Sequence, residues 1–383
     1  MTFQRDRTFW AIALQAAAVN FYLGGFGPAQ PLLRADQHTS LAIGGLHGTA
    51  LGVAAILAGY ASPRLVHAYG RVRTSWIGLS AFVFGVTMFV FSPPVPLTLT
   101  ATLIAGFGTS VVINTMITRL SAHHAVDSAR AVSQGIGIGS FGYILGTLAV
   151  GTLAGTTLSW RLGLMIVVPF TIALFVVSKN VGEGVHVPDE SGRQRGKLNF
   201  SFWIAWLGFV TSISSEFATT FWAAALLRDR VGSSAAISTV CIVSLGLGLA
   251  LGRVFGSRVL VRIALDNQLK LVILLQLIGF MTFWFSHILW LSIAALFATG
   301  LGLAMQFGLI SYRMIVFSDG RPDLAIGTSS FGAGIAIGGA PFMLGLLGDH
   351  FGISRAYMMV PVLIGLTILT IYIVPTFKKV SAK

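Results

Sequence analysis

A chain of 383 residues that is 55% apolar and only 10% charged, against about 25% charged in an ordinary soluble protein, excludes a water-soluble globular fold. Its 25 basic and 12 acidic residues are too few to cover the cores such a length would build, and disorder is excluded as well because it requires low hydrophobicity and dense charge. The apolar surface must face lipid, and the single cysteine, Cys241, leaves neither a disulfide framework nor a cysteine-based metal or redox site.

A bilayer-crossing helix needs about 20 mostly apolar residues, so stretches lacking Lys, Arg, Asp and Glu mark the spans. Arg7 to Arg34 brackets the first and Asp36 to Arg64 the second. Arg73 to Arg119 is divided into a third and a fourth by Pro93, Pro94 and Pro96, since prolines in succession break a helix. Arg130 to Arg161 encloses the fifth and Arg161 to Lys179 the sixth, followed by a polar stretch from Lys179 to Lys197. The seventh runs from near Leu198 to Leu227 with one interior acid, and the eighth from Val231 to Gly252. The uncharged run Leu271 to Tyr312 splits near Ser286 and His287 into the ninth and tenth, and Leu324 to Gly348 and Ala356 to Phe377 complete twelve.

The expected architecture is an all-α integral membrane protein, with six-helix bundles at 1–178 and 198–383 joined by a cytoplasmic linker at 179–197. The first span reads as a retained helix, because its apolar run is too long for a cleavable signal and eleven similar runs follow. Orientation follows from the placement of Lys and Arg. With both termini cytoplasmic, Arg34, Arg161, Arg228, Arg230 and Arg355 fall outside and the other twenty of the 25 bases inside. The net charge of +13 is spread among short loops and calls for no nucleic-acid partner.

Sliding the sequence by 194 residues brings four arginines into register without a gap: Arg34 on Arg228, Arg64 on Arg258, Arg119 on Arg313 and Arg161 on Arg355. Leu32-Leu33-Arg34 then lies over Leu226-Leu227-Arg228, and Gly106-Phe-Gly108 over Gly300-Leu-Gly302. Two related parallel halves are the architecture of transporters that rock around a central site near the bilayer midplane.

These residues resemble the major facilitator superfamily over the whole chain. After span two, Gly59-Tyr-Ala-Ser-Pro-Arg-Leu-Val-His-Ala-Tyr-Gly70-Arg-Val-Arg73 is similar to the loop signature of that family. Anchored on Gly70, however, Pro63 stands for the first glycine, His67 for the aspartate and Ala68 for the base beside it, while Arg71 and Arg73 remain. The resemblance implies an inner gate at this loop, and His67 replaces its usual lock with a pH-sensitive group. Ser159-Trp160-Arg161 resembles the Trp-Arg pair at the outer start of span six, and Gly106 with Gly108 the glycine pattern of span four. Thr102 occupies the place of an arginine common in proton-coupled members, and no proline lies between Gly142 and Gly155, where drug antiporters carry a Gly-Pro signature.

Glu216 is the one acid in the interior of an expected span. A charged acid at a helix centre costs about 2.5 to 3.5 kcal/mol on insertion scales, so it is a candidate for proton coupling or substrate contact. Ser212 and Thr219 share its helix face, with Thr220 one position on and Trp222 further round. The family lines its cavity with spans one, four, seven and ten, whose polar residues here are Gln15, Asn20 and Tyr22, then Asn114, then Gln306 and Tyr312. The offset of 194 places Tyr22 opposite Glu216. The candidate substrate-binding set is Asn20, Tyr22, Asn114, Ser212, Thr219, Trp222 and Gln306, with interhelical hydrogen bonding as the alternative for each. His47 is a candidate second proton site or a packing histidine. The gating set is His67, Gly70, Arg71, Arg73, Arg119 and Arg313. For the last two, snorkelling to lipid phosphates is the simplest expectation, and an inward turn would favour an anionic substrate.

Three motifs are set aside. His123-His124 with Asp127 lacks a fourth ligand and reads as a solvated loop, so no metal and no cofactor is expected. Gly135-x-Gly-x-Gly139 follows no strand and reads, with Gly142 and Gly146, as a close-packing helix face, echoed by Gly334, Gly338 and Pro341. No Gly-x4-Gly-Lys loop for ATP occurs. The sequence thus describes a monomeric, multi-pass secondary transporter of a bacterial-type plasma membrane. It moves a small organic solute by alternating access with proton-coupled uptake; proton-coupled efflux is the alternative, and a membrane enzyme or receptor on the same scaffold a remoter one.

Overall fold

The computed structural model describes residues 5–91, 93–124, 128–178, 181, 197–260 and 263–376. Among the described residues the chain is helical throughout, in the order α1 (Arg7–Gln37), α2 (Leu41–Phe91), α3 (Val95–His123), α4 (Ser128–Ala154), α5 (Trp160–Met165), α6 (Val167–Ser178), α7 (Phe200–Val231), α8 (Ala235–Leu260), α9 (Leu265–Phe285), α10 (Leu289–Leu303), α11 (Gln306–Val316), α12 (Pro322–Phe351), α13 (Ile353–Ala356) and α14 (Met359–Ile373). Ten helical stretches are long and apolar enough to cross a bilayer, which makes this a multi-pass membrane protein. α7 is not one of them despite its 32 residues. Its stripe of Ser, Thr and Glu lowers its hydropathy, as a polar face turned toward other helices does.

Helix boundaries follow local chemistry. The Asp6 carboxylate caps α1 by accepting from the Phe9 amide at 2.8 Å. Partial burial would raise its pKa, but the Phe9 amide and the neighbouring His123 and His124 outweigh that and hold it below the ordinary aspartate value. Asn199 caps α7 in the same way through Phe202, and Gly232 in the left-handed region, φ 67°, ends it. The expected break at Pro93 to Pro96 is found, with Pro94 as the N-cap of α3, and the expected split at Ser286 falls between α9 and α10. The loop signature is not a loop: α2 stays helical past Arg64, through Pro63 and His67, and kinks only at Gly70, where φ 77° and ψ 164° suit glycine and strain any other residue. The expected single helices six, ten and twelve are each interrupted, at Ile166, Ala304–Met305 and Tyr357–Met358.

Two compact units form. The first comprises Met1–His38, Val53–Glu190 and Ala235–Val240, and the second Thr39–Gly52, Ser191–Ser234 and Cys241–Lys383. In the first, α1 packs on α4 along a line of glycines. A Cβ at Gly24 would lie 1.9 Å from the Tyr143 carbonyl oxygen, one at Gly142 2.2 Å from that of Ala17, and one at Gly146 1.8 Å from that of Phe21. Since the opposing atoms are backbone, no rotamer change relieves the clash.

The repeat at 194 residues is present in the packing itself. A Cβ at Gly108 would meet Gly78 O at 2.3 Å and Phe82 N at 2.5 Å; one at Gly302 would meet Val272 O at 2.7 Å and Gln276 N at 2.4 Å. Gly85 meets Ala101 O and Ala105 N, and Gly279 meets Ala295 O and Thr299 N. Every partner is displaced by the same offset, so each unit carries the same helix crossing.

Gly146→Leu is expected to destabilise the purified protein by at least about 1 to 3 kcal/mol, the usual cost of overpacking. Gly137→Leu, where a Cβ meets nothing within 4 Å, should leave the unfolding midpoint in detergent within error of the wild type.

Candidate functional site

The polar stripe of α7 is bound into a closed ring with α9 and α11. Ser212 Oγ donates to Gln306 Oε1 at 2.8 Å, Gln306 Nε2 to Gln276 Oε1 at 2.7 Å, Gln276 Nε2 to Ser215 Oγ at 3.0 Å, and Ser215 Oγ to the Ser212 carbonyl at 2.8 Å. All four residues are at most 2% exposed, so the donors and acceptors satisfy one another in a dry interior, where an orphan would cost most. Thr219 bonds back to Ser215 and accepts the Tyr357 hydroxyl at its carbonyl, 3.2 Å. Trp222 is fully buried and donates Nε1 to the Pro341 carbonyl at 2.9 Å, tying α7 to α12 at its proline.

Glu216 follows this ring directly. It is half-buried, no described side chain hydrogen-bonds its carboxyl, and the charge acting on it comes from Arg253 on α8. Of the expected residues, the structure therefore brings Ser212 of α7 and Gln306 of α11 into direct contact, places Thr219 one turn beyond Ser215, and leaves Glu216 as the group whose valence the ring does not consume.

The counterparts in the first unit are differently placed. Tyr22 is fully buried in an aromatic cluster with Phe26, Phe82 and Phe89, at centroid distances of 5.3, 5.8 and 6.3 Å. Asn20 is half-buried beside Gly139 and donates to the Ala16 carbonyl at 2.8 Å, and Asn114 is exposed. Gln15 links two spans, accepting from Ser75 Oγ and from the Arg119 guanidinium, both at 2.8 Å.

Snorkelling of Arg119 and Arg313 is overturned. Each is 1% exposed. Arg313 donates to the Thr370 carbonyl at 2.8 Å and to that of Val374, and pairs with Asp266 at 3.5 Å. The physical reason is that partners inside the protein, the Gln15 amide oxygen for Arg119 and the Asp266 carboxylate with helix-end carbonyls for Arg313, replace the phosphates that each guanidinium would otherwise seek. Asp266, at the first turn of α9, thus belongs to the interior. His47 is buried, with Nδ1 3.3 Å from the Gly44 carbonyl. His67 and Arg73 are exposed and Arg71 half-buried, on either side of the Gly70 kink. The Trp160-Arg161 pair is a lock within the first unit: Trp160 Nε1 and the Arg161 guanidinium both reach Asp36, at 3.1 and 3.4 Å, and Arg161 also donates to the Phe89 carbonyl at 3.2 Å.

Three residues not singled out from the sequence matter here: Gln276, Ser215 and Asp266. Gln276 had a signal, being a lone amide in the apolar run of α9. The other two had none, since only the fold sets their neighbours, and Arg253, read from the sequence only as a base near the inner end of span eight, gains its relation to Glu216 from the fold.

Such a bundle of apolar helices, built twice on one crossing pattern around buried polar residues, is that of a membrane transporter. The chain matches the family model of the Major Facilitator Superfamily over residues 10–318 and belongs to that superfamily; it is a transporter and not an enzyme. Among solved structures it is similar to a bacterial homolog of the human lysosomal transporter Spinster in an inward-facing, unoccupied conformation, with a TM-score of 0.72 and 14% identity over 98% of this chain and 96% of that one. It is also similar to the nucleoside transporter NupG, with a TM-score of 0.76 and 12% identity over 97% and 100%. No curated protein matches it in sequence.

Gln306→Leu and Gln276→Leu should each lower stability by about 1 to 3 kcal/mol, the cost of a buried partner left unsatisfied. The double variant should lose less than the sum, because it removes donor and acceptor together. Strict additivity in detergent unfolding would show that the ring is not a unit.

Proposed function

We propose that the protein is a proton-coupled uptake transporter of a small organic solute, working by alternating access in a plasma membrane, with Glu216 as the proton carrier. The observation that carries the reading is the isolation of that carboxyl on α7. It is a membrane-embedded acid beside a saturated hydrogen-bond ring, with Arg253 as the charge acting on it. An acid held within a membrane helix with no described hydrogen-bond partner is a functional candidate by default, and a carboxyl that gains and loses a proton as water access alternates fits that setting.

The reading takes the chain to have twelve spans with both termini in the cytoplasm. α2 is 51 residues long, about 76 Å at the helical rise, more than twice the roughly 30 Å hydrocarbon core, and its kink at Gly70 divides it into two spans. α7, long enough but carrying a polar face, counts as a further span. Bundles at 1–178 and 198–383, the monomeric state and the preponderance of Lys and Arg on one side complete the proposal. Of the expected substrate contacts, Asn20 and Asn114 retain accessible amides. Ser212, Thr219, Gln306, Trp222 and Tyr22 shape and hold the walls, and His47 is a second protonatable group. Arg71, Arg73, His67 and the Gly70 kink form the gate segment.

In proteoliposomes, an imposed inward proton gradient should drive solute accumulation. In Glu216→Gln, counterflow should persist while the gradient no longer drives net movement. Accumulation driven in the opposite sense would make the protein an exporter, and unchanged proton coupling in the variant would remove Glu216 from the mechanism.

A further inference from the structure

The start of α1 and the end of α3 bring together three side chains that lie outside the polar ring of α7, α9 and α11. His123 Nε2 lies 2.6 Å from Asp6 Oδ2, His124 Nε2 lies 3.9 Å from Asp6 Oδ1, and the ligating atoms of all three lie within 4.8 Å of one another. The two histidines are adjacent in sequence, but the acid that completes the group comes from 117 residues away; Asp127, their sequence neighbour, lies outside the described residues. All three side chains remain reachable from solvent, at 45% exposure for Asp6, 27% for His123 and 13% for His124.

We propose that Asp6, His123 and His124 bind one divalent transition-metal ion of the zinc class, with a fourth position open to water. Two imidazoles and one carboxylate suit Zn²⁺, Co²⁺, Ni²⁺ or Cu²⁺, and disfavour Mg²⁺ and Ca²⁺, which take oxygen ligands. Tetrahedral ligands about 2.0 to 2.2 Å from zinc stand about 3.3 to 3.6 Å apart. The observed separations of 2.6 and 3.9 Å fall on either side of that range, so a small rotation of the Asp6 carboxylate opens one and closes the other. On binding, the ion replaces the proton shared by His123 and Asp6, and that proton leaves to solvent. The carboxylate is already oriented by the Phe9 amide on Oδ1, the kind of outer partner that fixes a ligand. His124 is set by edge-to-face contacts with the Phe9 and His123 rings, at 6.0 and 4.7 Å. Arg5, next in sequence to Asp6, is engaged elsewhere, with Nε 2.7 Å from Gln134 Oε1 on α4. The bound ion ties the start of α1 to the end of α3, the same two helices that the Arg119 to Gln15 hydrogen bond joins deeper in the unit.

The test uses the full chain, purified without a polyhistidine tag and titrated with Co²⁺ while the visible ligand-field bands are followed. One equivalent should bind, release protons to a weak buffer and be displaced by Zn²⁺, and Zn²⁺ should raise the unfolding midpoint. Asp6→Asn keeps a capping acceptor for α1, and His124→Ala removes a ligand without touching the cap. Both should unfold like the wild type without metal and should lose more than about tenfold in Co²⁺ affinity, since losing even an outer-shell partner costs that much. Absence of saturable one-equivalent binding overturns the proposal. So does binding that is unchanged in either variant, which would assign the ion to the other histidines of the chain.

Discussion

The structure depends on how closely two helix backbones approach in a medium that offers them no reason to associate. Lipid tails are as apolar as leucine, so side-chain burial does not drive helices together; close van der Waals contact and interhelical hydrogen bonds do. Glycines at 24, 142 and 146 let α1 and α4 touch carbonyl to Cα. Once α1 is fixed on α4, the rest of its surface meets α3, α5 and α6, which places Gln15 for Arg119, Asp36 for Trp160 and Arg161, and Asp6 for His123.

The second unit repeats that logic with different polar cargo. The Gly302 and Gly279 crossings bring α9 against α10 at the positions that Gly108 and Gly85 occupy in the first. The side chains around them have diverged. Gln276 stands where the first unit has Phe82, and Glu216 where it has Tyr22. One unit therefore packs an aromatic cluster at the site where the other holds a hydrogen-bonded ring and a lone carboxyl. Divergence on a common backbone crossing leaves an aromatic cluster in one half and a polar ring with a carboxyl in the other.

How much of this was legible in the sequence varies by residue. The breaks at Pro94 and Ser286 follow from local backbone chemistry and were readable, as were the apolar runs. The repeat was readable because arginine is scarce and its spacing survives. The extension of α2 through His67 was not, because Gly70, Arg71 and Arg73 still match the loop pattern although Pro63 and His67 replace its glycine and aspartate, and only the fold shows the segment to be helical. Nor was the fate of Arg119 and Arg313 legible. A cation near the end of an apolar run reads as a membrane anchor unless its partner is known, and the partners, Gln15 and Asp266, are distant in sequence.

Composition alone determined that this chain lives in lipid, and the spacing of its charges determined where helices start and that two halves share an ancestry of form. These are properties of the chain's own periodicity and transfer energies, which need no neighbour. Only tertiary structure decided which polar residues are saturated and which are left over. Ser212, Gln276, Gln306 and Glu216 are all polar groups in membrane helices, indistinguishable in kind until the fold closes three of them into a ring and leaves the fourth with a charge acting on it. Hydrogen bonds and ion pairs are satisfied between helices, by atoms the sequence does not place, and for that reason the Glu216 carboxyl could be nominated from the sequence while its setting emerged only from the fold.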